Sequence, residues 1–542
     1  MLNSFISTYV VHGPLVHASP KTVNSIVESF LSELGFCDFR PIYLAKSHLI
    51  KLLKLFAEQI CITICNNTTT MLTTTLLATL AIGNMTGAPI QNTSTQPGQS
   101  VGLAPDKMTN PLPRRGVFGA QLAGVPEDVR TKLNLKSGEG AVIQSAVPGY
   151  TAEKAGLKPG DVLLAMNGTS VAPANAGEVV RGIPSGSDVT FTLVRDGNKI
   201  EVKSTMIERK RDPGTADYEV VYSHILSNGQ RMRTIITKPK AKGKHPGFFF
   251  IQGFSPISYD YVLDAGGADL TRINAPMLAD FAKSGFVTIR VEKPGVGDSE
   301  GGPFADVDYT TELDIYRQTL KQLKAMPEVD TDNIFIFGHS MGGAFGPMIA
   351  DESPVKGIAV YGTASRTWAE YLMETLRTQN LLAGATHEQV DDTVRLGVRV
   401  MAQVFMEGKT AEQVKKEHPE LAAYVDSFLP GGYFNGKTTK FWAQLGDINF
   451  ARYWSKCKSY VFSARGASDF VTYDSDHTLI ADAVNKSNPG KAVFVSVPSS
   501  DHLFNNWPSE KESQVNWPKG TFNMAFSNQM KAWIMDLISK KS

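Results

Sequence analysis

The chain has 542 residues, more than one ordinary hydrophobic core accommodates, so two or three domains are expected. Its 54 Lys and Arg against 53 Asp and Glu leave a formal net charge of +1, and no basic stripe with interleaved aromatics is present. That balance excludes a dedicated nucleic-acid binder and gives no strong pull toward an anionic membrane, while 42% hydrophobic and 20% charged residues exclude a chain disordered throughout.

Residues 1–112 differ in composition from the rest of the chain. Clusters of Pro, Ser, Thr, Asn and Gln recur, as at 87–98, and read as a flexible linker. Upstream, Lys51 and Lys54 precede the apolar run 71–83, with small residues near Thr86, Gly87 and Ala88. Over about 51–88 this has the layout of a secretory signal, which predicts a secreted or periplasmic protein. A signal belongs at the start of a chain, so translation from Met71 is one explanation of its position, at the cost of Lys51 and Lys54. A cytoplasmic protein with a loosely structured tail is the alternative. The run is too short and too rich in Thr for an integral membrane span.

Three of the four cysteines, Cys37, Cys61 and Cys65, fall in this segment, leaving Cys457 alone in the remainder. No disulfide framework is therefore expected there. The Cys61-x-x-x-Cys65 spacing has no His or Cys pair downstream to complete a zinc site, and no other pattern calls for a metal or a cofactor.

Residues 113–207 read as hairpin-connected strands: apolar alternation is punctuated by Pro148-Gly149, Pro159-Gly160, Asn167-Gly168 and Asp196-Gly197. Ala152 to Leu157, the turn Lys158-Pro-Gly-Asp161 and the hairpin at Asn167-Gly168 together resemble a PDZ domain of the kind found in HtrA-like bacterial proteases. The resemblance implies that Val117, Phe118, Gly119 and Ala120 form the loop whose amides capture a peptide carboxylate, with the peptide added as a strand. The fold used only as packing, or as a gate beside its neighbour, is the other reading.

From about residue 215 the pattern changes. Runs 217–224 and 231–238 predict an antiparallel hairpin. Apolar runs 247–251, 286–290, 334–337, 357–361, 459–463 and 492–497 alternate with helical stretches at 277–284, 313–326 and 523–539. This alternation predicts an α/β fold, a mostly parallel, doubly wound sheet with helices on both faces. Residues 366–455 interrupt it, rich in helix formers and carrying Trp368, Tyr371, Phe405, Phe428 and Trp442. They predict a helical cap whose apolar residues are cap core for the most part, and a substrate pocket for the rest.

Between the strand at 334–337 and a small-residue helix start lies Gly338-His-Ser340-Met-Gly342. A G-x-S-x-G turn between strand and helix projects the serine hydroxyl from the sheet, and its glycines keep side chains out of a crowded bend. A nucleophilic serine needs a base, and the base an orienting carboxylate. Asp469 follows the strand at 459–463 after a Gly-containing turn, and His502 follows the strand at 492–497. Asp474, Asp476 and His477 compete, but fall at the start of the next helix. Asp501 reads as a local cap or orienter, and His339, inside the turn, as a packing or oxyanion-side residue. Met341 N–H and Phe254 N–H, the latter from the loop 251–255, are the candidate oxyanion donors.

This half of the chain resembles the α/β-hydrolase superfamily, and the stretch 292–301 followed by the serine turn is similar to its esterases and serine-aminopeptidase-like branch. Gln252 stands where that family's oxyanion loop carries His. The resemblance implies an esterase working through an acyl-enzyme on a small-molecule ester. A peptidase or amidase of the same mechanism, and a silent hydrolase fold whose working part is the PDZ module, are the alternatives. The Gly295–Gly302 run lacks the Gly-Lys-Ser/Thr ending of a phosphate loop and is set aside.

Overall fold

The computed structural model describes residues 111–136, 138–260 and 274–540, all within one compact unit. The expected signal, the linker and Cys37, Cys61 and Cys65 lie outside the described residues. The first module is built on a six-stranded sheet. Its strands are β1 (Ala120–Ala123), β2 (Ala141–Ala146), β3 (Val162–Met166), β4 (Thr169–Ser170), β5 (Asp188–Arg195) and β6 (Asn198–Thr205), in the order β1-β2-β3-β5-β6 with β4 on β3. Helices α1 (Glu127–Lys132), α2 (Thr151–Lys154) and α3 (Ala176–Arg181) complete it. Turn chemistry makes these hairpins: Asn167 and Asp196 sit at positive φ, each followed by a glycine that does the same. Inward residues of both faces, among them Ile143, Leu163, Phe191 and Leu193, form a core of their own.

The second module is an eight-stranded sheet. Hairpin β7 (Tyr218–Ser227) and β8 (Gln230–Pro239) forms one edge. It is followed in space by β10 (Val287–Val291), β9 (His245–Ile251), β11 (Val329–His339), β12 (Gly357–Tyr361), β15 (Tyr460–Gly466) and β16 (Ala492–Val497). β9 through β16 in this sheet pair in parallel, while β8 is antiparallel to both β7 and β10. Flanking helices are α4 (Ala275–Lys283), α5 (Tyr309–Ala325) and α6 (Gly342–Glu352).

Central β9 shows why the sheet is covered on both sides. Phe248 and Phe250 enter one apolar cluster with Phe281 of α4, while Phe249 and Ile251 enter the other with Leu320 of α5. All four are essentially inaccessible, each contributing about 1.5–3 kcal/mol of burial. The chain order also fixes where a ligand fits. β9 lies between β10 and β11, so the chain leaves β9 to one side and later returns to its other side. The crevice beyond the carboxyl ends of β9 and β11 is therefore the topological switch point, where open α/β sheets bind their ligands.

The cap is mixed rather than wholly helical. It contains α7 (Trp368–Leu382), α8 (His387–Met401), a π-helical turn (Ala402–Met406), α9 (Ala411–Glu417) and α10 (Ala422–Phe428). A short hairpin then intervenes, β13 (Tyr433–Phe434) and β14 (Lys437–Thr438), turning on Asn435 at positive φ and Gly436. Helices α11 (Thr439–Gly446) and α12 (Phe450–Lys456) lead back to the sheet. Thr367, Thr386 and Thr410 close reciprocal capping boxes with Glu370, Gln389 and Gln413, so sequence alone starts α7, α8 and α9. The remaining helices are α13 (Asp474–Ser487), α14 (Glu510–Asn516) and α15 (Ala525–Ser539). No helix among the described residues is long and apolar enough to cross a membrane.

Candidate active site

Ser340 sits between β11 and α6 with φ +53°, a strained left-handed conformation for a non-glycine residue. Its amide donates to the Tyr361 carbonyl (2.9 Å), which pins the turn to β12. The bend leaves no room for side chains. A Cβ on Gly338 would lie 2.6 Å from the Gly343 Cα, and one on Gly342 would overlap the Ile251 carbonyl.

The structure brings the three predicted residues together. His502 Nε2 is 3.0 Å from Ser340 Oγ, and His502 Nδ1 is 2.9 Å from Asp469 Oδ2. Asp469 is fully buried. Its Oδ1 accepts from the Val471 and Thr472 amides (2.7 and 3.1 Å), and its Oδ2 from Thr472 Oγ1 (2.6 Å). Burial alone would raise its pKa. Facing His502 and hydrogen bonds from His502 and Thr472, with Arg465 behind, outweigh that and hold the carboxylate well below its ordinary range. Gly466 is the last residue of β15 rather than part of the turn before Asp469, and it is a glycine because a Cβ there would overlap the Ser500 carbonyl.

The His502 loop is held by one neighbouring carboxylate and by two groups distant in sequence. Asp501 Oδ1 accepts from the Leu503 and Asn505 amides (2.8 and 2.7 Å), the local orienting role expected of it. Tyr361 Oη donates to the Asp501 carbonyl (2.7 Å). His339 Nε2 contacts the His502 carbonyl (2.8 Å), so His339 fastens the loop. No local signal marks either contact, since the partners are 140 and 163 residues apart. Asp476 and His477 do fall on α13, both fully buried, and Asp474 begins that helix. Asp476 accepts from the Ser365 amide (2.9 Å), and His477 Nε2 from the Thr363 amide (3.2 Å).

The other predicted donors lie beside the serine. A Cβ on Gly253 would be 3.1 Å from the Ser340 Cβ, so the loop after β9 crosses directly over the hydroxyl. Among the described residues neither the Met341 nor the Phe254 amide is paired with a protein acceptor. A pocket opens between this loop and the cap, lined by Trp368, Tyr371, Leu372, Trp442, Leu503 and Trp517 among others. No carboxylate, lysine or arginine among the described residues lines it. Phe405 and Phe428 are instead packed into the cap core.

In the first module, Val117 and Phe118 bury their side chains and Ala120 opens β1, an edge strand. The Val117, Phe118 and Gly119 carbonyls accept from Thr151 Oγ1, Ala152 N–H and Val147 N–H (2.6, 2.8 and 2.7 Å). The Phe118 and Gly119 amides have no acceptor among the described residues.

Two tests follow from this geometry. Gly362, at φ +59°, would place a Cβ 2.8 Å from His502 Nδ1 and 3.1 Å from Asp469 Oδ2. Gly362→Ala is expected to displace the imidazole, lowering hydrolytic turnover by about 100-fold and stability by about 1–3 kcal/mol. Kinetics and thermal melting check both effects.

The second concerns pH. Burial pushes His339 and His477 down from 6.5 to about 3. It pushes Glu292 up from 4.5, and Asp501 up from 3.8, each to about 6. The unfolded chain protonates both imidazoles below pH 6.5 while the folded chain does not, so acid removes stability by about 1.4 kcal/mol per unit per group. The two carboxyls act oppositely, binding protons in the folded state first as pH falls through 6. Urea midpoints are therefore expected to change little between about pH 6 and 4.5 and to fall steeply below about 4. A steep, unbroken fall from pH 6.5 to 5 would contradict this assignment.

Comparison with known proteins agrees with the two-module reading. A family profile described as PDZ domain matches residues 108–194, and one described as Alpha/beta hydrolase family matches residues 249–512. A "Probable periplasmic serine protease do/HhoA-like" of Haemophilus influenzae is 33% identical over 91 residues, 17% of this chain and 20% of that protein. An "Uncharacterized peptidase YtmA" of Bacillus subtilis is 28% identical over 149 residues, 27% of this chain and 52% of that one. The chain thus spans about a fifth of the first relative and about half of the second. Among solved structures, a thermostable carboxyl esterase from Bacillus coagulans in complex with glycerol is 15% identical, covering 60% of this chain and all of that one, with a TM-score of 0.36. The chain joins a PDZ domain to a domain of the α/β-hydrolase fold.

Proposed function

We propose that the chain is a serine hydrolase cleaving carboxylic esters. The observation that carries this reading is the continuous hydrogen-bonded line from Ser340 Oγ through His502 to buried Asp469. Ser340 attacks the acyl carbon as His502 Nε2 takes its proton. His502 then gives that proton to the leaving alkoxide, and Ser340 remains acylated. Asp469 keeps the Nδ1 proton in place and favours the imidazolium. The Met341 and Phe254 amides receive the oxyanion, each worth about 3 kcal/mol of barrier. Water activated by His502 releases the acid.

The lining of the pocket supports an ester with an apolar, flat portion over a peptide end, since no charged side chain among the described residues meets it. A peptidase of the same mechanism is the second reading, favoured by the PDZ domain and by the relative named as a peptidase. In either case the PDZ loop Val117–Ala120 would take a peptide carboxylate on the Phe118 and Gly119 amides, which meet no acceptor among the described residues. Export to the periplasm or outside the cell is proposed from the run 71–83 and from the location printed for the PDZ relative. An intact Met1 in an exported fraction would contradict a start at Met71. A fluorophosphonate probe tests the chemistry: labelling is expected on wild type, and its absence sinks the hydrolase reading. Turnover of short nitrophenyl esters against aminoacyl amides separates the two substrates.

A further inference from the structure

A set of buried and half-buried charges runs from the PDZ domain to the loop over Ser340. The segments 115–117 and 207–209 pair with each other at the base of the PDZ domain, through Val117 N–H to the Ile207 carbonyl and Arg209 N–H to the Arg115 carbonyl. Arg115 and Arg209 of these segments, and Arg114 just before the first, reach into the hydrolase domain. Arg114 Nη1 is 2.6 Å from Asp260 and 2.5 Å from Asp298, all three buried. The Arg115 amide donates to Asp298 Oδ1 (2.9 Å). Arg209 Nη1 donates to Ser258 Oγ (2.6 Å) and lies 3.2 Å from Glu292 Oε1, while Ser258 Oγ also donates to Glu292. Ser258 lies on the same stretch, 253–258, that carries the Phe254 amide.

The other end of that loop is held by the next residue along from Glu292. Lys293 Nζ donates to the Phe254 carbonyl (2.9 Å) and ion-pairs with Glu312 of α5 at 3.0 Å. Lys437 of the cap hairpin ion-pairs with the same carboxylate at 2.9 Å. Lys293, Glu312 and Lys437 are essentially inaccessible. A buried charge network of this kind is worth little as stability, because desolvation offsets most of the attraction. What it does supply is a fixed geometry, since breaking any member strands a buried charge. Here the element so fixed is the loop whose amide must meet an oxyanion.

We propose that Arg209 and Lys293 are positioning residues for the loop 253–258, so that the PDZ domain forms part of the scaffold of the hydrolytic site. The inference rests on the serine-hydrolase reading. A displaced oxyanion donor should weaken transition-state binding more than substrate binding. In the full-length chain, Arg209→Ala is expected to lower kcat on a nitrophenyl ester about 10-fold with KM within about twofold, and Ser258→Ala to lower it about 5-fold. Arg209→Lys should restore at least half of the loss, and Arg395→Ala, on the exposed face of α8, should change nothing. Arg209 is only partly buried and Ser258 is small, so Ser258→Ala decides the matter should Arg209→Ala not fold. Wild-type kcat in a folded Arg209→Ala and in Ser258→Ala, or a change confined to KM, overturns the proposal. Wild-type enzyme that neither turns over the ester nor takes the fluorophosphonate probe would instead sink the hydrolase reading, and this inference with it.

Discussion

Ser340→Ala is expected to abolish fluorophosphonate labelling and to lower ester turnover by about 10⁵- to 10⁶-fold, with thermal stability within about 1 kcal/mol of wild type. Alanine tolerates φ +53° no worse than serine does, and among the described residues the side chain gives up one hydrogen bond, that to His502 Nε2. The residual rate would come from binding and the oxyanion amides alone. The protein contains its own control. Ser463 Oγ is 2.8 Å from His477 Nδ1, a second Ser–His contact of similar length. Three features deny it the chemistry. Both residues are fully buried, away from the pocket. His477 Nε2 accepts from the Thr363 amide, which puts the ring proton on Nδ1, so that nitrogen donates to Ser463 and cannot take its proton. Burial also keeps this imidazole from taking a proton near neutral pH, with its pKa pushed down to about 3. Ser463→Ala is therefore expected to leave labelling intact, at a cost of about 1–3 kcal/mol for the stranded ring nitrogen. Loss of labelling in Ser463→Ala with retention in Ser340→Ala would reverse the assignment.

The parts of the molecule legible in sequence are those set by local rules. The serine turn is written in five consecutive residues, because only glycines fit at 338 and 342. The PDZ hairpins are written in their Asn-Gly and Asp-Gly turns, and the doubly wound sheet in apolar runs that must be covered on both faces. Asp469 and His502 could be placed because each follows a strand. The hairpin β13–β14 was hidden inside a stretch of helix formers, since two residues per strand make no alternation to read. The Arg114–Asp298 and Arg209–Glu292 contacts span 184 and 83 residues, and each of these residue types alone reads as a solvated surface charge. In sequence, Glu292 and Lys293 read only as part of a loop before the serine turn. Their burial, which is what makes them informative, comes from partners far along the chain, Arg209 and Ser258 for Glu292 and Phe254 and Glu312 for Lys293, that no local pattern encodes.

Asp469→Asn carries the second large effect, and the geometry decides its sign. Asp469 Oδ1 faces two backbone donors, the Val471 and Thr472 amides. An asparagine can meet them only with its carbonyl oxygen, since its NH₂ there would set donor against donor. The NH₂ group must then occupy the Oδ2 position and point at His502 Nδ1. An NH₂ donor forces Nδ1 to accept, which moves the imidazole proton to Nε2, the nitrogen 3.0 Å from Ser340 Oγ. The ring then presents a proton where it should receive one. Turnover near neutral pH is expected to fall about 10⁴-fold with KM little changed, the loss being one of tautomer rather than of shape. Thr472 Oγ1, which donates to Oδ2 in the native site, must rotate to accept from the new NH₂, and a hydroxyl can do so. The fold should therefore survive and the crystallographic positions of Ser340 and His502 should hardly move. Asp469→Ala, by contrast, leaves the two amides and the Thr472 hydroxyl facing a cavity and is expected to cost about 2–5 kcal/mol of stability as well. A variant Asp469→Asn with native turnover would mean that the buried carboxylate serves the fold alone and that His502 finds its tautomer without it.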